Sequence, residues 1–156
     1  MEITKKDVKL ATIYRPLNNF FLNPLMEFLR EKYVCKNQIK KGINGVRDAI
    51  NYIKKDYSIA LMIDQRVSEG EKISFFGKPA LTTTLPAQLA LKYKLPIIPV
   101  FIERTKKHNF EITFHEEIKS GEFKNKTELS EKLNRVLEQM IQKNPNQWIW
   151  THNRWK

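Results

Sequence analysis

The stretch Ser58-Ile-Ala-Leu-Met-Ile63, ended by Asp64, decides the reading of this chain. It is a short, continuous apolar run with no alternation, the pattern of a strand buried on both faces. Such strands belong to sheets covered by helices on either side, and the flanking sequence agrees. Upstream, Leu10-Ala-Thr-Ile-Tyr14 is short, apolar and partly β-branched, so it reads as a second strand, stopped by Pro16. Between the two, Asn23-Pro24 predicts a helix start, with Leu25, Met26, Leu29 and Tyr33 on one face. Asn44 predicts the cap of a further helix carrying Val46, Ala49, Ile50 and Ile53 at helical spacing.

Downstream the alternation of elements continues. A polar segment from Asp64 to Lys72 precedes Ile73-Ser-Phe-Phe76. Thr82-Thr-Thr-Leu-Pro opens a third helix to about Tyr93, and Pro96-Ile-Ile-Pro-Val-Phe-Ile102 reads as a strand. Phe110-Glu-Ile-Thr-Phe-His115 alternates strictly, predicting a half-exposed strand. The longest helix is predicted from about Thr127 to Lys143, with Leu129, Leu133, Val136, Leu137, Met140 and Ile141 as one apolar stripe. Strands and helices in turn predict an α/β fold, a central, largely parallel sheet flanked by helices, built as one domain over residues 1–156.

Composition narrows the partners. The chain carries 28 Lys and Arg against 17 Asp and Glu, a net charge of +11. Such an excess favours an anionic partner: nucleic acid, a phospholipid surface, or a phosphorylated or acidic substrate. No apolar run approaches the length of a spanning helix, and the start is polar, so the chain reads as soluble or peripheral. One cysteine, Cys35, excludes an internal disulfide and reads as a packed thiol. No RNA-binding aromatic motif, zinc finger or helix-turn-helix is visible, and nucleic acid is therefore not an expected partner.

In sheets of this class ligands collect beyond the carboxyl ends of strands. That rule points at Tyr14-Arg15, at Asp64-Gln65-Arg66 and at the segment after Ile102, and it predicts Arg15 and Asp64 in one cleft. A guanidinium at Arg15 suits phosphate, carboxylate or a developing alkoxide; a salt bridge is its plainer role. Asp64 either bonds loop amides or serves chemistry. Lys40, Lys41 and Arg47 surround the Gly42–Gly45 turn, as a solvated face or as phosphate ligands at a helix N-terminus. On a strand Phe75 and Phe76 point to opposite faces, one into the core and one toward a groove, while Gly77 permits close backbone approach. None of His108, His115 and His152 has metal-ligand spacing, no Gly-x-Ser-x-Gly elbow is present, and His115 reads as solvent-facing. All three tryptophans fall in Asn144-Pro-Asn-Gln-Trp-Ile-Trp-Thr-His-Asn-Arg-Trp-Lys156, a tail suited to apolar surroundings beside an anion.

Four ordered segments add a resemblance: Tyr14-Arg-Pro-Leu-Asn-Asn19, Lys41-Gly-Ile-Asn-Gly-Val-Arg47, Asp64-Gln-x-x-x-x-Gly-x-x-x-x-Phe-Phe-Gly77 and Pro145-Asn-Gln-Trp-Ile-Trp-x-His-x-Arg-Trp-Lys156. Together with Leu95-Pro-Ile-Ile-Pro-Val-Phe-Ile-Glu-Arg104 they resemble the late acyltransferases of lipid A biosynthesis, the lauroyl and myristoyl transferases. The resemblance implies a glycerolipid-acyltransferase-like fold. It implies transfer of a fatty acyl group from an acyl carrier protein thioester to a hydroxyl of a lipid A precursor, without a further cofactor. The implied place is the cytoplasmic face of the bacterial inner membrane, with the phosphorylated glycolipid, an anionic membrane surface and acyl carrier protein as partners.

By position, Arg15 resembles the family's anion-stabilising arginine, and Asp64 and Gln65 its second polar motif. Arg66, Lys41, Arg47, Phe75, Phe76, Gly77 and Arg104 are the implied substrate contacts. The family's general base, in a His-x-x-x-x-Asp/Glu motif ahead of the Tyr-Arg-Pro segment, and its membrane-anchoring helix are not among these residues. The expectation is accordingly an N-terminally truncated member. Its alternative is a catalytically inactive lipid- or partner-binding remnant, with a basic nucleic-acid-binding domain ranked last.

Overall fold

A computed structural model describes residues 8–151 and 153–155. His152 and Lys156, singled out in the tail, lie outside the described residues. The chain divides into two compact units, Met1–Met62 and Ile63–Lys156.

In the first unit, strand β1 (Leu10–Tyr14), helix α1 (Leu22–Tyr33), strand β2 (Asn37–Lys40), helix α2 (Ile43–Ile53) and strand β3 (Ser58–Ala60) follow in sequence. The strands form a parallel sheet in the order β2-β1-β3, with Thr12 paired to Gln38 on one side and Ala60 on the other. Leu10, Ala11, Cys35, Ile39 and Ala49 are buried. The Cys35 thiol donates to the Leu10 carbonyl, a packed thiol as its sequence context suggested. Gly45 is required where α2 crosses β2: a Cβ there would stand 2.0 Å from the Lys40 carbonyl oxygen.

Three expectations change in this unit. The run through Ile63 is strand only from Ser58 to Ala60, lies at the sheet's edge and is half-buried at Ile59 and Ala60. Apolarity alone does not distinguish an edge strand from a doubly covered one. The cap of α1 comes from Asn19, whose Oδ1 accepts from the Phe21 and Leu22 amides, while Asn23 lies inside the first turn and accepts from the Leu17 amide. Gly42 stands before α2, and Asn44 lies in its first turn.

The second unit is a mixed assembly. Strands β4 (Glu71–Phe75) and β5 (Lys78–Thr82) form an antiparallel hairpin, followed by helix α3 (Leu85–Tyr93). Strand β6 (Pro96–Ile97) pairs with β9 (Ile118–Lys119), and β7 (Val100–Arg104) pairs with β8 (Phe110–Phe114), both antiparallel. Helix α4 (Lys126–Lys143) begins at Asn125, whose side chain accepts from the Glu128 amide. Ala87, Ala90, Ile118, Leu129 and Leu133 form one core; Phe75, Ala80 and Ile141 form another, overlaid by Trp148 and Trp155.

The fold is thus α/β, but among the described residues parallel pairing is confined to β1, β2 and β3, and the remaining strands form small antiparallel pairs. The segment from Pro96 to Ile102 breaks between Ile97 and Val100, around Pro99, which has no amide hydrogen to give a ladder. The alternation of Phe110–Phe114 is present but faces outward. Val100, Ile102 and Arg104 stand opposite Phe114, Ile112 and Phe110, and all six are exposed. The opposite face holds Glu103, which accepts from the Asn144 side chain at 2.7 Å.

Candidate functional site

In the first unit the loops after β1 and β2 lie together, because the Lys41 amide donates to the Tyr14 carbonyl at 2.8 Å. This brings Arg15 and Lys41 side by side in the backbone at the carboxyl end of a parallel pair. Both side chains are exposed, as is Arg47 on α2. Glu27 on α1 organises the region. Its Oε1 accepts from the Tyr14 hydroxyl at 2.7 Å and from the Asn23 side chain at 3.0 Å, and lies 3.0 Å from the Lys40 ammonium. The Arg30 guanidinium stacks over the Tyr14 ring at 4.9 Å.

These contacts shift two acids in opposite directions. The Tyr14 hydroxyl, then Lys40 and Asn23, hold the Glu27 carboxyl down at about 2. Burial, then the bond to Glu27, pushes the Tyr14 phenol up to about 12. Glu27 and its bond to Tyr14 escaped the sequence reading because a helix carboxylate thirteen residues away gives no local sign. The result is a fixed polar base beneath a cationic rim, an arrangement that can hold an anion.

In the second unit, β4 and β5 are joined by Phe76 and Gly77, both at positive φ, 50° and 71°. That is the geometry of a two-residue hairpin turn, and it suits Gly77. For Phe76 it is a strained conformation, worth of order 1–3 kcal/mol. The Glu138 carboxylate holds it by accepting the Phe76 amide at 2.7 Å. Because Phe76 is in the turn, the expected opposition of the two rings does not occur. Their centroids are 4.8 Å apart, edge to face, with Phe75 wholly buried and Phe76 half-buried.

The tail closes around them. Trp155 stacks on Phe75 at 5.6 Å and its indole donates to the Phe75 carbonyl, while Trp148 meets Phe75 edge-on at 5.9 Å and Trp150 packs against Phe76 at 6.3 Å. Beneath lies Arg154, wholly buried. Its Nη2 donates to Thr82 Oγ1 at 2.9 Å and Asn134 Oδ1 at 3.2 Å. Asn134 in turn donates to the Ser74 carbonyl at 2.8 Å and to Thr82 Oγ1 at 3.2 Å. Burial pulls the Arg154 pKa down to about 10, against the opposing charges of Asp64 and Glu138.

Asp64 is half-buried, and its Oδ1 is buried without a hydrogen-bond partner. Gln65, Arg66 and Gly77 are exposed. Arg104 is held through its backbone, which exchanges two 2.8 Å bonds with the Gln147 side chain, and its guanidinium covers the Phe110 ring at 5.1 Å. His108 and His115 are exposed. Arg15, Lys41 and Arg47 therefore belong to the first unit, and Asp64, Gln65, Arg66, Phe75, Phe76, Gly77 and Arg104 to the second. Among the described residues, no helix is long and apolar enough to cross a membrane.

A search of curated proteins finds no match to the sequence. The model of one protein family, the bacterial lipid A biosynthesis acyltransferases, matches residues 1–156. The match spans both the cationic rim of the first unit and the aromatic tail of the second. The chain belongs to the bacterial lipid A biosynthesis acyltransferase family.

Proposed function

We propose that this chain contributes to the transfer of a fatty acyl group from an acyl carrier protein thioester to a hydroxyl of a lipid A precursor, at the cytoplasmic face of the bacterial inner membrane. The observation that carries the reading is the family match over the whole chain. In the reaction the acceptor hydroxyl gives its proton to a base, and its oxygen bonds to the thioester carbonyl carbon. The resulting oxyanion collapses, the C–S bond breaks, and the carrier thiolate leaves and takes up a proton. Arg15 is the donor to the oxyanion, where a positioned cation acts on charge that develops only in the transition state. Lys41, Arg47, Arg66 and Arg104 meet anionic groups of the acceptor or the leaflet. Phe76, half-buried at its turn, offers an apolar wall to an acyl chain.

The base is the open part of this scheme. His108 and His115 are followed five residues on by Thr113 and Ser120, so neither has the His-x-x-x-x-acid spacing. General base catalysis contributes about a hundredfold to ten-thousandfold. The second reading is a lipid- or partner-binding protein that keeps the fold without the chemistry. The test is acyl transfer from acyl carrier protein to a lipid A precursor, read by mass spectrometry of the lipid. It is run with these 156 residues, and with the same residues fused behind the His-x-x-x-x-acid segment of an active family member. Product from the fusion supports the enzyme; none from either, with retained binding of the precursor, supports the second reading.

A further inference from the structure

The β7–β8 hairpin is inverted. An antiparallel pair ordinarily turns its apolar side chains toward the protein and its polar ones toward water. Here Glu103 and Glu111 share the face on which Glu103 accepts from Asn144, at the C-terminal end of α4. Val100, Ile102, Phe110, Ile112 and Phe114 share the other face, and all are exposed, Ile102 to 59% and Phe110 to 57%. Cross-strand register places these side chains next to one another, so they form one surface rather than scattered exposure. A surface of that kind marks a binding face.

Its charges indicate what it meets. Arg104 is the charged residue on this face; it pairs with Phe110 at the tip end, and its guanidinium lies 5.1 Å from the Phe110 ring. The stem thus covers apolar surface while the head stands at its rim. The connecting loop adds Lys106 and Lys107, both exposed, and is closed by the Asn109 amide on the Lys106 carbonyl at 2.8 Å and the Thr105 amide on the Asn109 carbonyl at 3.0 Å. The neighbouring acids stand elsewhere: Glu103 and Glu111 on the opposite face, Glu116 and Glu117 beyond Phe114 at the far end. An apolar face bordered by cations and cleared of carboxylates is complementary to an anionic lipid leaflet, with hydrocarbon within and phosphates at its surface. A second copy of this chain is a poorer occupant, because each copy carries a net charge of +11 and the two repel. The tail agrees. The Gln147 side chain bonds both the amide and the carbonyl of Arg104 at 2.8 Å, tying the tail to the free edge of β7, and Ile149 and Trp150 just beyond are exposed as well. Tryptophan settles where one end is apolar and the other wet.

We infer that the outward face of the β7–β8 hairpin is the surface by which this chain seats on an anionic phospholipid leaflet. The hairpin lies flat in the interface, with Phe110, Ile112 and Phe114 at the acyl boundary and Arg104, Lys106 and Lys107 on lipid phosphates. The inference rests on the membrane-surface part of the function proposed above, and gives that contact a location in the second unit.

The experiment is co-sedimentation with vesicles of phosphatidylglycerol and phosphatidylcholine, at low and high salt. Charge attraction is screened by salt and apolar burial is not, so native binding is expected to weaken with salt and to keep a salt-resistant part. Phe110→Ser, Ile112→Thr and Phe114→Thr combined are expected to weaken that resistant part by about tenfold or more, since moving one large apolar side chain out of water is already worth about that factor. Lys106→Ala with Lys107→Ala is expected to weaken low-salt binding and to spare the resistant part. Native binding by the triple variant at both salts overturns the inference. So does a native chain that is dimeric in sedimentation velocity and monomeric in the triple variant, which would assign the face to a second copy. A measurement on the unaltered sequence guards against misfolded variants: in bicelles of the same lipids carrying a spin-labelled acyl chain, the amide resonances of residues 100–104 and 110–114 are expected to broaden before those of α4. Broadening that begins in α4, or is uniform, overturns the inference as well. Neither readout needs turnover. Seating by this face without acyl transfer from the fusion would remove the enzymatic reading and leave the face standing, whereas acyl transfer with native vesicle binding in the triple variant would do the reverse.

Discussion

The guanidinium carbon of Arg154 stands 4.1 Å from the centroid of the Phe75 ring, and neither side chain is exposed to solvent. A desolvated cation on an aromatic face is stabilised by about 2 kcal/mol or more. Trp155 covers the same phenyl group, at 5.6 Å and an interplanar angle of 27°. Phe75 therefore joins the tail, α4 and the β4–β5 hairpin, and its loss acts on all three.

Phe75→Ala is expected to lower stability by about 3–5 kcal/mol, the usual cost of truncating a core aromatic. Phe114→Thr, on the open face of the β7–β8 hairpin, is expected to change it by less than about 0.5 kcal/mol. Urea denaturation of both variants measures the difference. Equal losses would mean that the hairpin face is covered in solution.

Local pattern carried some of this structure well. The stripe along α4 is visible because its residues pack at 3.6-residue spacing, and Leu129, Leu133, Met140 and Ile141 are indeed buried. Strand β1, with its closing proline, and α3, with Pro86 in its first turn, were equally local. The outward face of β8 was not legible, because alternation reports two faces without naming the covered one. Nor was the parting of Phe75 and Phe76 into strand and turn, since a strained Phe at positive φ depends on a carboxylate from α4, 62 residues on. Arg154 is the extreme case: its partner Thr82 lies 72 residues away, so the motif was visible and its use was not.

The Tyr14–Glu27 pair predicts opposite effects at the two ends of the pH scale. Glu27 is held at about 2 against an ordinary 4.5. Its contribution to stability is fully present above pH 4.5 and is lost as pH falls through about 2. Tyr14 is raised from 10.0 to about 12, so its contribution is present below pH 10.0 and is lost as pH rises through about 12. Glu27→Gln should flatten the acid limb of the stability profile relative to the native chain, and Tyr14→Phe the alkaline limb. Thermal unfolding across pH checks both, and a native-like acid limb in Glu27→Gln would refute the assignment.

The net charge of +11 predicts how the chain meets membranes. Near an anionic leaflet each Lys or Arg contributes about 1 kcal/mol, and the attraction falls off within a Debye length of about 8 Å at physiological salt. Co-sedimentation with vesicles should therefore require anionic lipid and weaken as salt is added. Equal binding to neutral and anionic vesicles at low salt would contradict this, and preferred binding to single-stranded nucleic acid under the same conditions would favour a different partner.

The division of labour within the proposed reaction gives the sharpest expectation. In that reaction Arg15 is assigned to the oxyanion, and a guanidinium, which has donors and no acceptor, leaves the base to another residue. The 156 residues by themselves are therefore expected not to turn over, and the fusion that supplies a His-x-x-x-x-acid pair is expected to be active. In that fusion, Arg15→Ala should lower kcat about 100- to 1000-fold, the usual effect of removing one oxyanion donor, with a smaller change in KM. Because Arg15 is exposed, its removal should leave stability within about 0.5 kcal/mol of native, so that lost activity is not lost fold. His115→Ala serves as the control and should not change the rate. Robust turnover by the isolated chain, abolished by His115→Ala or His152→Ala, would place the base within these residues and displace the fusion from the argument.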